Sequence, residues 1–477
     1  MKKRTVFIPA SQYDGHNALA DNLRVHQRPP EDAPSKPGRV KVRRELKFVL
    51  MALVLVVSIL LGSVVQSFRV TPYITNEDVQ DFTGLTGTIT DRFGKPIYQN
   101  GEVIDYGLFG NVVGYRDYIH NSLLYVHSET LMPDPVNPIV GHTSLETQPR
   151  VMTTTLLSAE SLQEIAKLYN GLSGCCYAYN YETGEVYAAL SFPSFDPSAA
   201  DTTYLNRCIS SVYVPGSTMK IVTAALAVDQ GKNVNKLKYE CKQTVVLDNG
   251  DEIKCVGYHG KIDFATAIGK SCNCYFAQLI MDLNLEKALA TLKEMGFSVN
   301  GDTTRSDLLD GLTVRTSSVN MTNTASFKNI WGLIGQGETQ VSPIMMAQIA
   351  AATVNGGKAA VPYMIASIDN PNVNKRIYEA KTETVTLMSE STAKKTAAVW
   401  KQGVDANYYT NQGMSSRIDY AKTGTAERNN GREDKLLMGV IESSKTAFYI
   451  VVENGGSKLA PMTVANKLAT LLPSYSE

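Results

Sequence analysis

The chain is 477 residues long, with 46 basic side chains against 46 acidic ones, a formal net charge of zero, and 43% hydrophobic residues. That length leaves room for two or three domains. The balanced charge excludes the basic footprint of a nucleic-acid binder, and the composition is that of an ordinary globular protein.

Residues 1–47 include the run Pro29-Pro30-Glu31-Asp32-Ala33-Pro34 and read as a disordered tail. Phe48 to Val65 is an uncharged apolar run long enough to span a bilayer. A signal peptide is the competing reading, but the core is too long, starts nearly fifty residues in, and has no clear small-x-small cleavage site. Arg39, Lys41, Arg43, Arg44 and Lys47 precede it and only Arg69 follows closely. The positive-inside rule therefore puts the tail 1–47 in the cytosol, a signal-anchor helix at 48–66, and everything from about residue 67 outside.

Residues 84–105 alternate like short strands around turns at Phe93-Gly94 and Asn100-Gly101, and 106–150 are weakly patterned. We read 67–150 as a small β-rich extracytoplasmic stalk or pedestal domain and 151–477 as a denser catalytic one. Ser158 to Tyr169 fits an amphipathic helix. Cys175–Asn180 and Glu185–Leu190 read as strands around the turn Tyr181-Glu182-Thr183-Gly184. Helical stretches run from Phe264 to about Met295. Ser342-Pro343 is an N-cap with proline at the first helical position, opening a helix to about Val354. Arg417–Ala426 reads as a strand, Leu436–Glu442 and Thr446–Glu453 as a hairpin, and Val464–Leu472 as a closing helix. Strands at both ends of this region with helices between them predict an α+β sheet assembled from distant segments.

Within that frame, Pro215-Gly216 opens a helix so apolar on all faces that it should be buried, with Gly231 closing it. Ser217 and Lys220 stand at i and i+3 on one face. A buried ammonium must be paired or lose its charge. Lys220 is thus either a neutral general base beside a serine nucleophile or a lysine that snorkels to the surface. A second Ser-x-x-Lys, Ser391-Thr392-Ala393-Lys394, lies in a polar stretch and reads as a solvated helix face. Seven cysteines stand at 175, 176, 208, 241, 255, 272 and 274, with no CxxC pair to suggest a metal site. Outside the cell disulfides are permitted, and the odd count leaves at least one thiol free. Cys241 and Cys255 flank the turn signal Asp248-Asn249-Gly250. A tight hairpin there would miss pairing them by a few positions, so a bridge needs a bulge or a longer loop.

Three short motifs follow in order: Ser217-Thr218-Met219-Lys220, Ser271-Cys272-Asn273 and Lys422-Thr423-Gly424. Ser-x-x-Lys and Ser-x-Asn are weak signals alone, and Ser-x-Asn recurs at Ser318-Val319-Asn320, whereas Lys422-Thr423-Gly424 is less common and appears once. Their order resembles that of penicillin-binding proteins and serine β-lactamases. More narrowly, the chain resembles the membrane-anchored, monofunctional class B penicillin-binding proteins. Thr183-Gly184-Glu185, Ser191 to Pro197, Val214-Pro215-Gly216-Ser217, Gly335-Gln336-Gly337, Val341-Ser342-Pro343, Asn355-Gly356-Gly357 and Lys422 to Ala426 match that family's pattern. Gly87 to Gly94 resembles the start of its N-terminal domain. The departures are a short stalk, Thr86 where an arginine usually precedes the glycine, and no aromatic residue in Lys435-Leu436-Leu437-Met438-Gly439.

The resemblance implies an antiparallel sheet flanked by helices, plus an all-helical part. It also implies peptidoglycan cross-linking by acyl transfer from D-Ala-D-Ala stem peptides, inhibited covalently by β-lactams. Ser217 would be the nucleophile, Lys220 the base and Ser271 the proton relay. Asn273 would bind the substrate backbone. Lys422, Thr423 and Gly424 would hold its terminal carboxylate and let its backbone approach, and the N–H groups of Ser217 and Thr425 would form the oxyanion hole. The resemblance calls for no metal and no cofactor. Its partners would be stem peptides, β-lactams, the membrane through one helix, and a polytopic glycan polymerase. A D,D-carboxypeptidase would use the same residues, and a membrane β-lactam sensor or scaffold the same domain. The class A β-lactamase pattern Glu-x-x-Leu-Asn is not present. His259 reads as a loop histidine packed ahead of the helix at Phe264 and Cys272 as a small buried side chain. Gln336 reads as shaping a turn, and Trp331 as filling core.

Overall fold

The computed structural model describes residues 37–70, 87–114, 121–131, 150–198, 203–302, 307–371, 374–428, 431–455 and 458–473. It divides into two units, Met1–Pro72 and Tyr73–Glu477. In the first, a single helix, α1, runs Pro37–Val70. Side chains in α1 are described only at 44–61, a window that keeps Arg44, Glu45 and Lys47. Among the described residues no helix is long and apolar enough to cross a membrane. The anchor expected at 48–66 runs past that window.

In the second unit the chain opens with β1 (Thr88–Thr90), β2 (Pro96–Gln99) and β3 (Glu102–Val103), then β4 (Val151–Thr154) and α2 (Ala159–Tyr169). The Ser158 hydroxyl caps α2 by accepting from the Ser161 N–H. There follow β5 (Gly174–Asn180), β6 (Val186–Phe192) and α3 (Met219–Asp229), which is entered through a short 3₁₀ turn at Gly216–Thr218. Next come β7 (Lys238–Cys241), β8 (Thr244–Val246), β9 (Glu252–Lys254) and β10 (Gly260–Asp263). A helical stretch is built from α4 (Phe264–Gly269), α5 (Asn273–Met281), α6 (Leu285–Glu294), α7 (Phe327–Ile334) and α8 (Pro343–Val354). The chain then forms β11 (Ile365–Asn370), β12 (Lys375–Glu379), α9 (Glu390–Asn411), β13 (Tyr420–Glu427), β14 (Glu433–Ile441), β15 (Thr446–Val452) and α10 (Pro461–Leu471).

The central sheet is five-stranded and antiparallel, in the order β13-β14-β15-β5-β6. Every residue of β5, β6 and β15 is buried, which requires cover on both faces. α8 packs on β5, β14 and β15, while α2 and α10 pack together and against β6, β14 and β15. β13 lies at the sheet edge, so one side of its backbone is left to face the turn at Gly216–Thr218. α3 is buried from Met219 to Val228, with α5, α6, α7 and α9 packed around it. It is this all-round cover that takes Lys220 out of water.

A second sheet runs β12-β11-β4-β1-β2-β3. It crosses the boundary expected at residue 150: β1 pairs in parallel with β4, Ile89 opposite Met152. The strands read around Phe93-Gly94 and Asn100-Gly101 thus belong to one sheet with residues 151–154 and 365–379, rather than to a separate stalk. Also within the expected stalk, Tyr106–Val113, Leu123–Val126 and Ser128–Leu131 are helical, residues 67–70 end α1, and 71–86, 115–120 and 132–149 lie outside the described residues.

Candidate active site

The nucleophile turn is built by close backbone contacts. Gly216 has φ +54, and a Cβ there would meet the Thr425 backbone N and O at 2.7 Å. Gly335, at φ +106, sits so close that a Cβ would collide with the Gly216 carbonyl oxygen. A Cβ on Gly424 would meet the Pro215 carbonyl oxygen at 2.7 Å. Only glycine permits these three approaches. Gln336 completes the clasp: its side-chain amide donates to the Thr425 carbonyl at 2.8 Å and accepts from the Glu427 N–H at 3.4 Å. Gln336 therefore holds the edge strand β13 against the serine turn, a stronger role than shaping a turn.

Ser217 precedes α3 and is partly exposed; Lys220, one turn on, is 0% exposed. The Lys220 Nζ lies 3.0 Å from Ser217 Oγ, 2.7 Å from the Ser271 carbonyl oxygen, 3.2 Å from Ser271 Oγ and 2.6 Å from Asn273 Oδ1. Snorkelling is therefore excluded. Burial, and next the charge of Lys422, push the Lys220 amine well below the ordinary lysine value. A neutral amine has two N–H donors and one lone pair. The two shortest contacts are to carbonyl oxygens, which can only accept. Both donors are thereby committed, and the lone pair is left for the Ser217 hydroxyl proton.

Ser271 sits between α4 and α5 at φ +55, a backbone conformation uncommon for a serine. Asn273 begins α5, and its Nδ2 donates to the Lys254 carbonyl at 2.9 Å. From the other side, Lys422 on β13 donates to Ser271 Oγ at 3.1 Å and to the Thr423 carbonyl at 2.9 Å. It too is 0% exposed, and burial pushes its pKa down to about 7. The Ser271 hydroxyl thus bridges two lysines, the geometry a proton relay needs. Thr423, Gly424 and Thr425 follow on the same edge strand, the last alongside Gly216–Ser217.

Tyr408, near the end of α9, belongs to no motif in the sequence. Its hydroxyl accepts from the Thr423 N–H at 3.0 Å and lies 3.2 Å from Thr423 Oγ1 and 3.5 Å from Lys422 Nζ. Trp400 on the same helix donates to the Ala421 carbonyl at 2.9 Å. α9 therefore braces the strand carrying Lys422 and Thr423, and Ser391 and Lys394 sit at its exposed start. Trp331 is partly buried and stacks on Phe327.

Cys272 is buried, as expected. All seven cysteines are free thiols. The Asn249-Gly250 hairpin forms between β8 and β9, with Thr244 opposite Lys254, while Cys241 pairs with Gly260 across β7 and β10. Cys241 and Cys255 both turn toward His259 Nδ1, at 3.5 and 3.6 Å, and Cys255 Sγ is 3.7 Å from Cys272 Sγ. His259 is the loop histidine expected ahead of the helix at Phe264, and what it packs against is the pair of thiols.

Residues 174–471 match the family model described as the penicillin binding protein transpeptidase domain. The chain belongs to this family. It is 26% identical over 341 residues to the peptidoglycan D,D-transpeptidase PbpA of Mycolicibacterium smegmatis, covering 61% of this chain and 65% of that one. Identity to the stage V sporulation protein D of Bacillus subtilis is 29% over 329 residues, covering 62% and 48%. The chain thus spans about half to two-thirds of these relatives. The crystal structure of PBPA from Mycobacterium tuberculosis has the same fold, with a TM-score of 0.68 at 20% identity over 81% of this chain and 99% of that one. The imipenem acyl-enzyme complex of that protein gives a TM-score of 0.68 at 19% identity, over 82% and 99%.

Proposed function

We propose that the chain is a serine D,D-transpeptidase that cross-links peptidoglycan and is acylated by β-lactams. The observation that carries this reading is the Ser217 hydroxyl 3.0 Å from a fully buried Lys220 amine whose donors are committed elsewhere. The membership of the transpeptidase-domain family and the acyl-enzyme complex of a protein of the same fold support it.

In this mechanism Lys220 takes the Ser217 proton as Oγ attacks the carbonyl carbon of the D-Ala-D-Ala peptide bond. The developing oxyanion is received by the N–H groups of Ser217 and Thr425. The C–N bond then breaks. Lys220 returns the proton through Ser271 to the departing D-alanine amine, leaving an ester on Ser217. An amine from a second stem peptide attacks the ester, gives up its proton along the same relay, and restores the serine. The substrate lies along the open edge of β13, its backbone close to Gly424 and bonded by Asn273. Its terminal carboxylate rests on Lys422 and Thr423. Water as the acceptor would make the enzyme a D,D-carboxypeptidase.

The uncharged run Phe48–Val65, preceded by five basic residues, supports a single-pass anchor with the N-terminus in the cytosol and the catalytic unit outside. Peptidoglycan strands then reach the site from a separate, polytopic polymerase. The full chain, purified in detergent, should label covalently with a fluorescent penicillin, and Ser217→Ala should abolish the label. Labelling that survives Ser217→Ala, or moves to Ser391, overturns the mechanism. Protease added outside wall-stripped cells should digest the catalytic unit and spare a tag at Met1; the opposite pattern overturns the orientation.

A further inference from the structure

Behind the serine site, four donors converge from three places in the chain: the end of β7, the β9–β10 loop and the start of α5. Cys241 ends β7, Cys255 follows β9, His259 precedes β10, and Cys272 caps α5. Their ligating atoms all lie within 4.8 Å of one another. A tetrahedral zinc ion with its usual bond lengths sets its ligands about 3.8 Å apart between sulfurs and about 3.5 Å apart between sulfur and nitrogen. The three shortest contacts here are 3.7 Å for Cys255–Cys272 and 3.5 and 3.6 Å from His259 Nδ1 to Cys241 and Cys255. These match three of that tetrahedron's six edges, and the other three are no longer than 4.8 Å.

We propose that Cys241, Cys255, His259 and Cys272 form a structural Zn²⁺ site that fixes the Ser271-Cys272-Asn273 segment. Three thiolates and one imidazole are a donor set that favours zinc over harder cations. On loading, each thiol releases its proton and His259 binds neutral through Nδ1. The surroundings suit thiolate ligands: Cys272 Sγ accepts from the Tyr275 N–H at 3.4 Å. The three cysteines are buried, His259 is half-buried, and Val256 and Tyr258 in the same loop are exposed, so the cluster lies just beneath the surface.

Two free cysteines 3.7 Å apart also invite a Cys255–Cys272 disulfide. That bond would use two of the four donors and leave Cys241 and His259 converging on nothing. The fourfold convergence is what favours an ion. Its consequence reaches the chemistry, because Cys272 lies between Ser271, held at φ +55, and Asn273. An ion on the Cys272 sulfur would fix that backbone and, with it, the contacts of both neighbours to Lys220.

The test is the metal content of the full chain, purified in detergent under reducing conditions from zinc-supplied cells. The expected result is about one zinc per chain, falling at least tenfold in Cys241→Ser and in His259→Gln but unchanged in Cys208→Ser. Replacing the zinc by Co²⁺ should produce the visible absorption of tetrahedral thiolate coordination, a readout that needs neither a variant nor the acyl-transfer reading. Chelation should slow penicillin acylation roughly tenfold or more, with recovery on zinc addition. Wild-type protein without zinc, zinc retained in both ligand variants, or a Cys255–Cys272 disulfide in the mass spectrum of protein isolated without reductant would each overturn the site. Penicillin labelling at Ser217 is scored separately, so failure of the metal site and failure of the serine mechanism are distinguishable.

Discussion

Ser271, Cys272 and Asn273 have two sides. Forward, Ser271 and Asn273 meet the amines of Lys220 and Lys422. Backward, Cys272 meets Cys255 within a cluster of thiols and one imidazole. The forward side is spelled out in three short motifs. The backward side has no motif, because its four residues reach one another only after β7 and β10 pair and the β8–β9 hairpin folds between them. One three-residue stretch thus faces the two lysines on one side and the thiol cluster on the other, and only the lysine side can be read from local spacing.

The sharpest way to break this contrast is to damage the forward side alone. Lys220→Arg keeps a positive charge but cannot act as a base at working pH. Loss of a general base removes on the order of 10²–10⁴ of rate, so second-order acylation by penicillin should fall about a hundred- to ten-thousandfold. Metal content should stay at the wild-type level. If acylation and metal are lost together, the two sides are not separable, and the variant has instead disrupted the packing around α3.

Lys422 offers a smaller effect with a distinctive pH signature. Acylation needs Lys220 neutral and Lys422 charged. The rate should rise with pH through the depressed value of Lys220, and fall through that of Lys422, which burial pushes down to about 7. Above that pH the Lys422 amine is neutral and no longer attracts the substrate carboxylate. Lys422→Arg keeps its charge at all accessible pH, so it should lose about ten- to a hundredfold at neutral pH yet abolish the falling limb. A falling limb that persists in this variant assigns it to another group.

The same contrast explains what was legible in the sequence. The strands of the central sheet, the helix opened by Ser342-Pro343 and the buried helix after Ser217 follow from apolar runs, caps and turn residues that act locally. Whether Cys241 and Cys255 are bridged is open in the sequence, because the Asn249-Gly250 turn fixes only the β8–β9 hairpin, whereas Cys241 joins a different ladder, opposite Gly260. Gln336 and the glycines at 216 and 335 look like turn residues until their contact with β13 is seen. In α9, the polar start at Ser391–Lys394 masked a far end, Trp400 to Tyr408, that packs behind the catalytic strand.

Tyr408 provides the smallest and most specific test. Its hydroxyl has one proton and accepts from the Thr423 N–H at 3.0 Å. The proton is therefore free to be donated to Thr423 Oγ1, 3.2 Å away. A Thr423 hydroxyl that accepts there turns its own proton outward, toward the place of the substrate carboxylate. Tyr408 is thus a positioning residue, acting through Thr423. Tyr408→Phe leaves the partly buried Thr423 N–H without its partner, at a cost of about 1 kcal/mol, and frees the threonine hydroxyl to rotate. Acylation should weaken about three- to tenfold, through binding of carboxylate-bearing β-lactams rather than through the bond-making step. Separating the dissociation constant from the limiting acylation rate checks this. A purely structural role would depress the limiting rate as well, or weaken ligands with and without the carboxylate equally.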